Sequence, residues 1–297
     1  MVQSNEQRLF ATPKIRQLLA VVVGIWLGLV LILMAAIATR TSFAVIGDPI
    51  LTPLFYLAVF GISSLWVGWQ YSRQGIDIQQ IFGTWPIQSR GRSLVGLWLL
   101  LFMFSLGAFQ VSYALLSYWF PQFVGETLEQ SIFLGPGETA FTNLYNLLMA
   151  IILVIAAPFL EEFLFRGFLL HRLSARWNPP LAVLLSSLAF GLLHGNVIGL
   201  TIFGLVMALL YLRTQSLWVV IAVHSGNNAI AAGLDLLSRM NDQTSASSVE
   251  TLRSSIWLGS LLLAISMPWL VRFIRRNWPH QETRLPYFVN QADSLTD

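Results

Sequence analysis

The sequence predicts an all-α fold, a polytopic transmembrane helical bundle of about eight transmembrane helices with both termini in the cytoplasm. Of the 297 residues, 56% are hydrophobic and only 10% are charged, whereas soluble domains carry about 25% charged residues. One soluble core could not bury so much apolar surface, but the hydrocarbon of a bilayer can solvate it. The basic residues are also distributed as in a multi-pass integral membrane protein.

Eight apolar stretches supply the predicted spans, because crossing a hydrocarbon core of about 30 Å takes about 20 apolar residues. They are Leu18–Ala38, Leu51–Trp69, Leu94–Trp119, Phe141–His171, Leu181–His194, Val197–Leu212, Leu217–Leu237 and Ile256–Phe273. The fifth and sixth stretches are short and only Gly195 and Asn196 separate them. These two are therefore expected to form a tight helical hairpin.

The basic residues orient the bundle. Of the 17 Lys and Arg residues, all except Arg40, Arg239 and Arg253 fall in segments that eight spans with a cytoplasmic N-terminus assign to the inside. Cytoplasmic segments of membrane proteins carry this excess of positive charge. The same distribution explains the net charge of +3, so it gives no reason to expect a nucleic-acid partner.

The chain divides into three regions. Residues 1–139 hold the first three helices and their loops, 140–238 form the core that carries the chemistry, and 239–297 hold an external loop, the last helix and a cytoplasmic tail. The tail from Asn277 is expected to be disordered. The sequence contains no cysteine, which excludes disulfides, thiol nucleophiles and cysteine-ligated metals.

Ionisable side chains inside the predicted spans point to function, because each costs about 2.5–3.5 kcal/mol on insertion scales. The chain places these at Glu161, Glu162, Arg166, His171, His194, His224 and Asp235, with the amide of Asn228 nearby. We expect His171 to lie at the cytoplasmic interface without a chemical role. Asp235 is near the outer end of its span and is expected to reach water.

Helical spacing relates the remaining groups. Glu162 and Arg166 are four residues apart and can form an ion pair on one face, while Glu161 is turned about 100° away. An unpaired carboxylate there needs a polar partner on another helix. His194 on the fifth span, and His224 with Asn228 on one face of the seventh, could supply it, so we expect these groups to meet around a watery pocket.

Three motifs stand in order in these spans: Glu161-Glu162-Phe-Leu-Phe-Arg166, Phe190-Gly-Leu-Leu-His194 and His224-Ser-Gly-Asn-Asn228. This set resembles the EExxxR, FxxxH and HxxxN motifs of the CAAX-protease and bacteriocin-processing (CPBP or Abi) family of intramembrane proteases. The resemblance covers about residues 140–238. It implies a CAAX-type endopeptidase in which Glu161, His194, His224 and Asn228 are catalytic and Glu162, Arg166 and Phe190 support the site.

Two mechanisms remain open. In the first, Glu161 and His194 activate a water and His224 and Asn228 stabilise the oxyanion. In the second, Glu161, His194 and His224 bind one Zn²⁺ that activates the water, making the protein a metalloendopeptidase. Neither needs a serine nucleophile.

The expected partners are the lipid bilayer and a hydrophobic peptide or a membrane-protein substrate, possible substrates including a prenylated CAAX-type tail. The active site would lie within the bilayer and be reached from the cytoplasmic side. One alternative is a non-catalytic membrane adaptor or a bacteriocin-immunity protein on the same fold. A proton-relaying transporter is a further alternative, although the sequence shows no internal repeat.

Overall fold

The structure is a computed structural model that describes residues 9–39, 47–85, 91–240 and 249–295. Throughout those ranges the only regular elements are helices, which confirms the predicted helical bundle. In chain order they are α1 (Ile15–Ala38), α2 (Leu51–Arg73), α3 (Ile78–Phe82), α4 (Gly91–Leu116), α5 (Pro121–Glu129), α6 (Thr142–Arg176), α7 (Pro179–Leu192), α8 (Val197–Thr214), α9 (Leu217–Met240), α10 (Val249–Ser254), α11 (Ile256–Asn277) and α12 (Pro286–Asp293).

Within the described part of the chain, seven helices are long and apolar enough to cross a membrane: α1, α2, α4, α6, α8, α9 and α11. The fifth predicted span is α7, which has only 14 residues. At 1.5 Å per residue it is about 21 Å long, short of a hydrocarbon core of about 30 Å. Seven of the eight predicted spans are therefore full-length helices, and the orientation with both termini inside stays a prediction. Arg40 lies outside the described residues, and so do residues 241–248 of the predicted external loop.

The predicted hairpin of α7 and α8 is confirmed, and small residues permit its close packing. The side chain of Asn178 accepts a hydrogen bond from the Leu181 amide and caps α7, and Asn196 caps α8 in the same way. A Cβ atom on Gly191 would overlap the side chain of Thr201 and lie 2.7 Å from the Val197 carbonyl oxygen. Glycine is therefore required where the two helices meet.

Burial separates lipid-facing helices from central ones. Helix α1 has no buried residue, whereas ten residues of α8, including Phe203, Met207 and Tyr211, are buried. Helix α8 is thus central, and α1 presents an apolar surface that lipid would solvate.

The end of the bundle that carries most of the arginines, here called the inner end, is closed by a packed aromatic cluster. Phe10 lies between Tyr71, His171, Tyr287 and Phe288, with ring centroids 4.8–5.9 Å apart. The last two belong to α12, so the expectation of a disordered tail is wrong for residues 286–293. Their apolar side chains fill the core there.

The opposite end, here called the outer end, is held by two carboxylates. Asp48 accepts hydrogen bonds from the Thr139 hydroxyl and the Ala140 amide and so joins the start of α2 to the start of α6. Asp235 of α9 accepts from the hydroxyl of Ser131 and the amide of Phe133. It lies at the outer end as predicted, and it anchors the loop before α6.

Helix α6 contains two π-helical segments, Ile152–Ala156 and Phe163–Leu170. Such segments occur frequently at functional sites. Glu161 and Glu162 lie on the α-helical stretch between them.

Candidate active site

The structure brings together the side chains that the sequence singled out on three helices. The Oε2 atom of Glu161 on α6 lies 3.9 Å from Nε2 of His194, just after α7, and 4.0 Å from Nε2 of His224 on α9. Glu161 and His224 are buried, and His194 is 31% exposed. The predicted convergence of Glu161, His194 and His224 is therefore present in the fold.

Tyr56 on α2 belongs to the same cluster, and the sequence analysis missed it. Its hydroxyl donates a 2.7 Å hydrogen bond to Oε1 of Glu161, and its ring stacks on Phe60 at 4.5 Å. The bond occupies one carboxylate oxygen and leaves Oε2 directed at the two imidazoles. A phenol is neutral, so the cost of placing charge inside a membrane gives no signal for Tyr56.

The Glu162–Arg166 ion pair predicted from their spacing is present and fully buried. Nη1 of Arg166 lies 3.1 Å from both carboxylate oxygens of Glu162, and Nη2 donates to the Gly204 carbonyl oxygen at 3.0 Å. Oε1 of Glu162 also lies 2.8 Å from Nδ1 of His224. This carboxylate thus links α6 to α9, while the guanidinium links α6 to α8.

The hydrogen bonds assign the same tautomer to both site histidines when they are neutral. Nδ1 of His194 is 2.7 Å from the Phe190 carbonyl oxygen, which can only accept, so Nδ1 carries the hydrogen. The ionised Glu162 carboxylate imposes the same choice on His224. Each Nε2 then directs a lone pair toward Glu161.

Phe190 packs between the two imidazoles and the buried ion pair. Its ring centroid lies 4.6 Å from that of His194 and 5.9 Å from that of His224. The guanidinium carbon of Arg166 lies 4.7 Å from the same centroid. Phe190 is completely buried, so its ring fixes the spacing of these groups while its carbonyl oxygen accepts from Nδ1 of His194.

Asn228 faces the cavity but also completes the backbone of α6. Its Nδ2 donates a 3.0 Å hydrogen bond to the Leu153 carbonyl oxygen. In the π-helical register that carbonyl would accept from residue 158, which is a proline and has no N–H. The Asn228 side chain supplies the missing donor, and one hydrogen of its amide remains for another acceptor.

The site opens into a mostly apolar cavity of about 320 Å³. Its walls come from α2, α6, α8, α9, the loop before α6 and the connection between α7 and α8. The lining residues are Thr52, Pro53, Tyr56, Ile132, Met149, Ile152, Leu153, Ala157, Glu161, His194, Leu200, His224, Asn228 and Ala231. Ligand pockets span about 300–1,000 Å³, and at about 30 Å³ each this one has room for about ten waters. The cavity can therefore hold water beside apolar side chains.

The remaining predicted residues lie elsewhere. His171 lies at the inner end of the bundle and is completely buried, with Nδ1 2.9 Å from the Arg166 carbonyl oxygen; its position at the membrane interface stays a prediction. This carbonyl belongs to the second π-helical segment, as does the Gly167 carbonyl that accepts from the Tyr71 hydroxyl. Asp235 is not among the residues that line the cavity.

The spacing of the three site groups can be compared with a water and with a metal ion. A water hydrogen-bonded at about 2.8 Å to two atoms 3.9–4.0 Å apart would see them at about 90°. Tetrahedral Zn²⁺, with bonds of about 2.0–2.1 Å, needs ligand atoms about 3.4 Å apart. Over the described ranges no three carboxylate or imidazole groups are close enough to form a metal site as they stand. The donor types and the His tautomers suit zinc, whereas the present spacing suits water.

Two comparisons with known proteins bear on this region. Residues 143–230 match the family described as "Type II CAAX prenyl endopeptidase Rce1-like". A Bacillus subtilis (strain 168) protein named "Putative membrane peptidase YdiL" is 35% identical over 92 residues, which are 30% of this chain and 38% of that protein. No solved structure matches the chain.

The matched segment contains all three motifs and every residue that the resemblance selected. It begins three residues after the start and ends eight residues before the end of the 140–238 region expected from the motifs. The resemblance of this region to the CPBP family of membrane proteases is therefore confirmed.

Proposed function

We propose that this multi-pass membrane protein is an endopeptidase that cleaves a hydrophobic or membrane-anchored substrate within the bilayer, using a water held by Glu161 and His194. One observation carries the proposal. A buried carboxylate oxygen lies 3.9 and 4.0 Å from two imidazole nitrogens on the wall of an apolar cavity. The Rce1-like match of residues 143–230 supports a protease.

The reaction follows from the acceptors that the site presents. A water donates one hydrogen bond to Oε2 of Glu161 and the other to Nε2 of His194, which leaves its oxygen lone pair free to attack a carbonyl carbon. The proton passes to Glu161 as the C–O bond forms. The C–N bond then breaks, and the leaving amine takes the proton back.

Two donors are available to the oxyanion that forms in this step. Nδ1–H of His224 is engaged by Glu162, so His224 can donate into the cavity only as the imidazolium. The Glu162 charge is already paired with Arg166, so the charge of the imidazolium would be balanced by the oxyanion itself. Asn228 offers the amide hydrogen that Leu153 does not use. In other acyl-transfer enzymes, the loss of one such donor costs about 10²–10³ in rate.

The zinc version assigns Glu161, His194 and His224 as ligands, and when bound the ion would lower the pKa of its water to about 7. Elemental analysis of the purified protein and of its His194→Ala and His224→Ala variants separates the versions. One zinc per chain, lost in both variants, would replace the water-only version. In either version Tyr56 orients the carboxylate.

The substrate is proposed from the cavity. Its apolar walls suit a hydrophobic peptide segment, and the Glu161 carboxylate among the lining residues suits hydrolysis of a bond in that segment. A prenylated tail, the substrate that the family description names, is one member of this class.

The test does not require a known substrate. Membranes lacking the chain would receive purified wild-type protein or the Glu161→Gln variant, and new peptide termini would be identified by mass spectrometry. Carried out in ¹⁸O-labelled water, the reaction should give new carboxyl termini that carry the label. Glu126→Gln is the matched control, because it removes an exposed carboxylate outside the site.

We expect labelled termini with the wild type and with Glu126→Gln, and none with Glu161→Gln. Equal sets of termini from the wild type and Glu161→Gln would contradict the proposal. If Glu161→Gln instead preserved a bacteriocin-immunity phenotype, the non-catalytic alternative would account for the protein.

A further inference from the structure

We infer that the substrate reaches the site from the outer end of the bundle, and that the substrate class is a membrane-anchored chain whose cleaved bond enters the site from the extracytoplasmic side. The sequence alone suggested access from the cytoplasm. The route is read from the structure, and only its use by a substrate rests on the proposed function.

The cavity extends from Glu161 toward the outer end. Thr52 and Pro53 lie in the first turn of α2, Met149 precedes Glu161 by twelve residues on α6, and Ala231 lies beyond His224 on α9. Ile132, from the loop before α6, completes this wall. Thr52 and Ala231 are exposed, so the mouth of the cavity lies at this end.

Hydrogen bonds show that these wall segments belong to one end of the molecule. Asp48, four residues before Thr52, bonds to Thr139 and Ala140 just before α6. Asp235, four residues after Ala231, bonds to the Ser131 and Phe133 segment. The starts of α2 and α6, the loop before α6 and the last turns of α9 are therefore neighbours.

The inner side of the site is filled. Glu162 and Arg166 lie immediately inward of Glu161 and are 0% and 1% exposed. Beyond them the core is occupied by side chains with at most 2% exposure, namely Phe10, Tyr71, Ile81, Phe168, Leu170, His171, Tyr211 and Tyr287. A second cavity of about 330 Å³ lies at this end and shares no lining residue with the first. A peptide could come from the inner end only by opening this core.

Charge identifies the two ends. The inner end carries Arg73, Arg172, Arg176, Arg213, Arg272, Arg275, Arg276 and Arg284, whereas Arg239 and Arg253 are the arginines of the described outer end. The excess of positive charge belongs on the cytoplasmic side. The mouth of the cavity therefore faces away from the cytoplasm. This narrows the proposed substrate class, because a prenylated or other tail that is confined to the cytoplasm cannot enter the cavity.

The absence of cysteine from the sequence makes this inference directly testable, because a single introduced thiol is then the only one. Thr52→Cys and Ala231→Cys place it at the mouth without touching the proposed catalytic groups. Glu126→Cys on α5 and Gln281→Cys near α12 mark the outer and inner ends at exposed positions. Each variant is treated with a membrane-impermeant maleimide in intact cells and in inverted vesicles.

We expect Thr52→Cys, Ala231→Cys and Glu126→Cys to react in intact cells, and Gln281→Cys only in inverted vesicles. Reaction of the two mouth variants only in inverted vesicles would overturn the inference. So would a reversed pattern for the two markers.

Cleavage tests the use of the route by a substrate. With the substrates found from new termini, the impermeant maleimide on Ala231→Cys should reduce cleavage at least tenfold relative to the untreated variant. The same reagent on Glu126→Cys should have no effect. Full cleavage by the labelled mouth variant would overturn the substrate route, and absence of cleavage by the untreated wild type would count against the proposed function alone.

Discussion

Replacement of Tyr56 by phenylalanine removes one atom from the site and tests whether the direction of the Glu161 carboxylate matters. The 2.7 Å bond from the Tyr56 hydroxyl to Oε1 is lost, while the ring and its stacking on Phe60 remain. The carboxylate could then rotate about its last torsion, which has a broad, roughly two-fold preference. Oε2 would no longer be held toward His194.

The size of the effect has an upper limit. Hydrogen bonds to charged groups contribute about 1.5–3 kcal/mol, and about 1.4 kcal/mol corresponds to tenfold in rate. Positioning by Tyr56 can therefore be worth at most about tenfold to 150-fold in kcat/KM. We expect a fall of about tenfold or more, chiefly in kcat, because the hydroxyl orients the base rather than binding the peptide.

The assay is cleavage of a substrate identified from its new termini, in detergent or proteoliposomes. Tyr118→Phe is the control, because Tyr118 is 61% exposed and is not among the residues that line the cavity. Added to Glu161→Gln, Tyr56→Phe should change nothing further, since the two residues act as one unit. An unchanged or faster rate in Tyr56→Phe would refute the positioning role, because that outcome is expected if the hydroxyl only stabilised the carboxylate charge.

Three further perturbations test the framework around the site. Glu162→Gln leaves a buried guanidinium without its counter-charge and should lower the free energy of unfolding by about 3–5 kcal/mol, measured in detergent; unfolding like that of the wild type would contradict this. Gly191→Ala forces a Cβ into the α7–α8 contact and should cost about 1–3 kcal/mol, whereas Gly24→Ala enters open space and should cost nothing. Thr139→Val removes the hydrogen bond that chiefly holds the pKa of Asp48 below its ordinary value of 3.8. A lowered carboxyl pKa stabilises the folded state above pH 3.8, and this stabilisation is lost as the pH falls through the folded-state pKa. The melting temperature of Thr139→Val should therefore lie below that of the wild type at pH 7, and the difference should disappear in acid. A difference that does not depend on pH would contradict the role given to the Thr139 hydrogen bond.

Much of the site could be predicted because charge is expensive inside a membrane. Glu161, His194 and His224 each need polar neighbours inside the membrane, and in the fold these three side chains are neighbours of one another. The spacing of Glu162 and Arg166 was enough to predict their pairing. These inferences needed only local helix geometry and the cost of burying a charge.

Tyr56 could not be found in that way. Its phenol is neutral and sits in an apolar stretch, so nothing in its own sequence neighbourhood distinguishes it from a lipid-facing aromatic residue. Which helix packs against Glu161 is a long-range property of the fold. The hydrogen bond from Asn228 to the Leu153 carbonyl oxygen is a similar case, although Asn228 itself was predicted as a site residue. This bond depends on a π-helical register that could not be predicted from the sequence.

The ends of the bundle were predicted less well than its middle. The tail from Asn277 was expected to be disordered, yet Tyr287 and Phe288 pack against Phe10. The apolar residues at 285–289 were the available signal. The burial of His171 could not be foreseen without this packing, because Phe10 also contacts the His171 ring.

The π-helical segment at 152–156 has a consequence for insertions and deletions. A wider turn holds one more residue than an α-helical turn, so deletion of one residue from 154–156 would return the segment to an α-helical register. Because the wide turn already accommodates the additional residue, the outer part of α6 would keep nearly the same facing relative to Glu161. Pro158 would then stand four residues after Leu153, and its missing N–H would still leave that carbonyl dependent on the Asn228 amide.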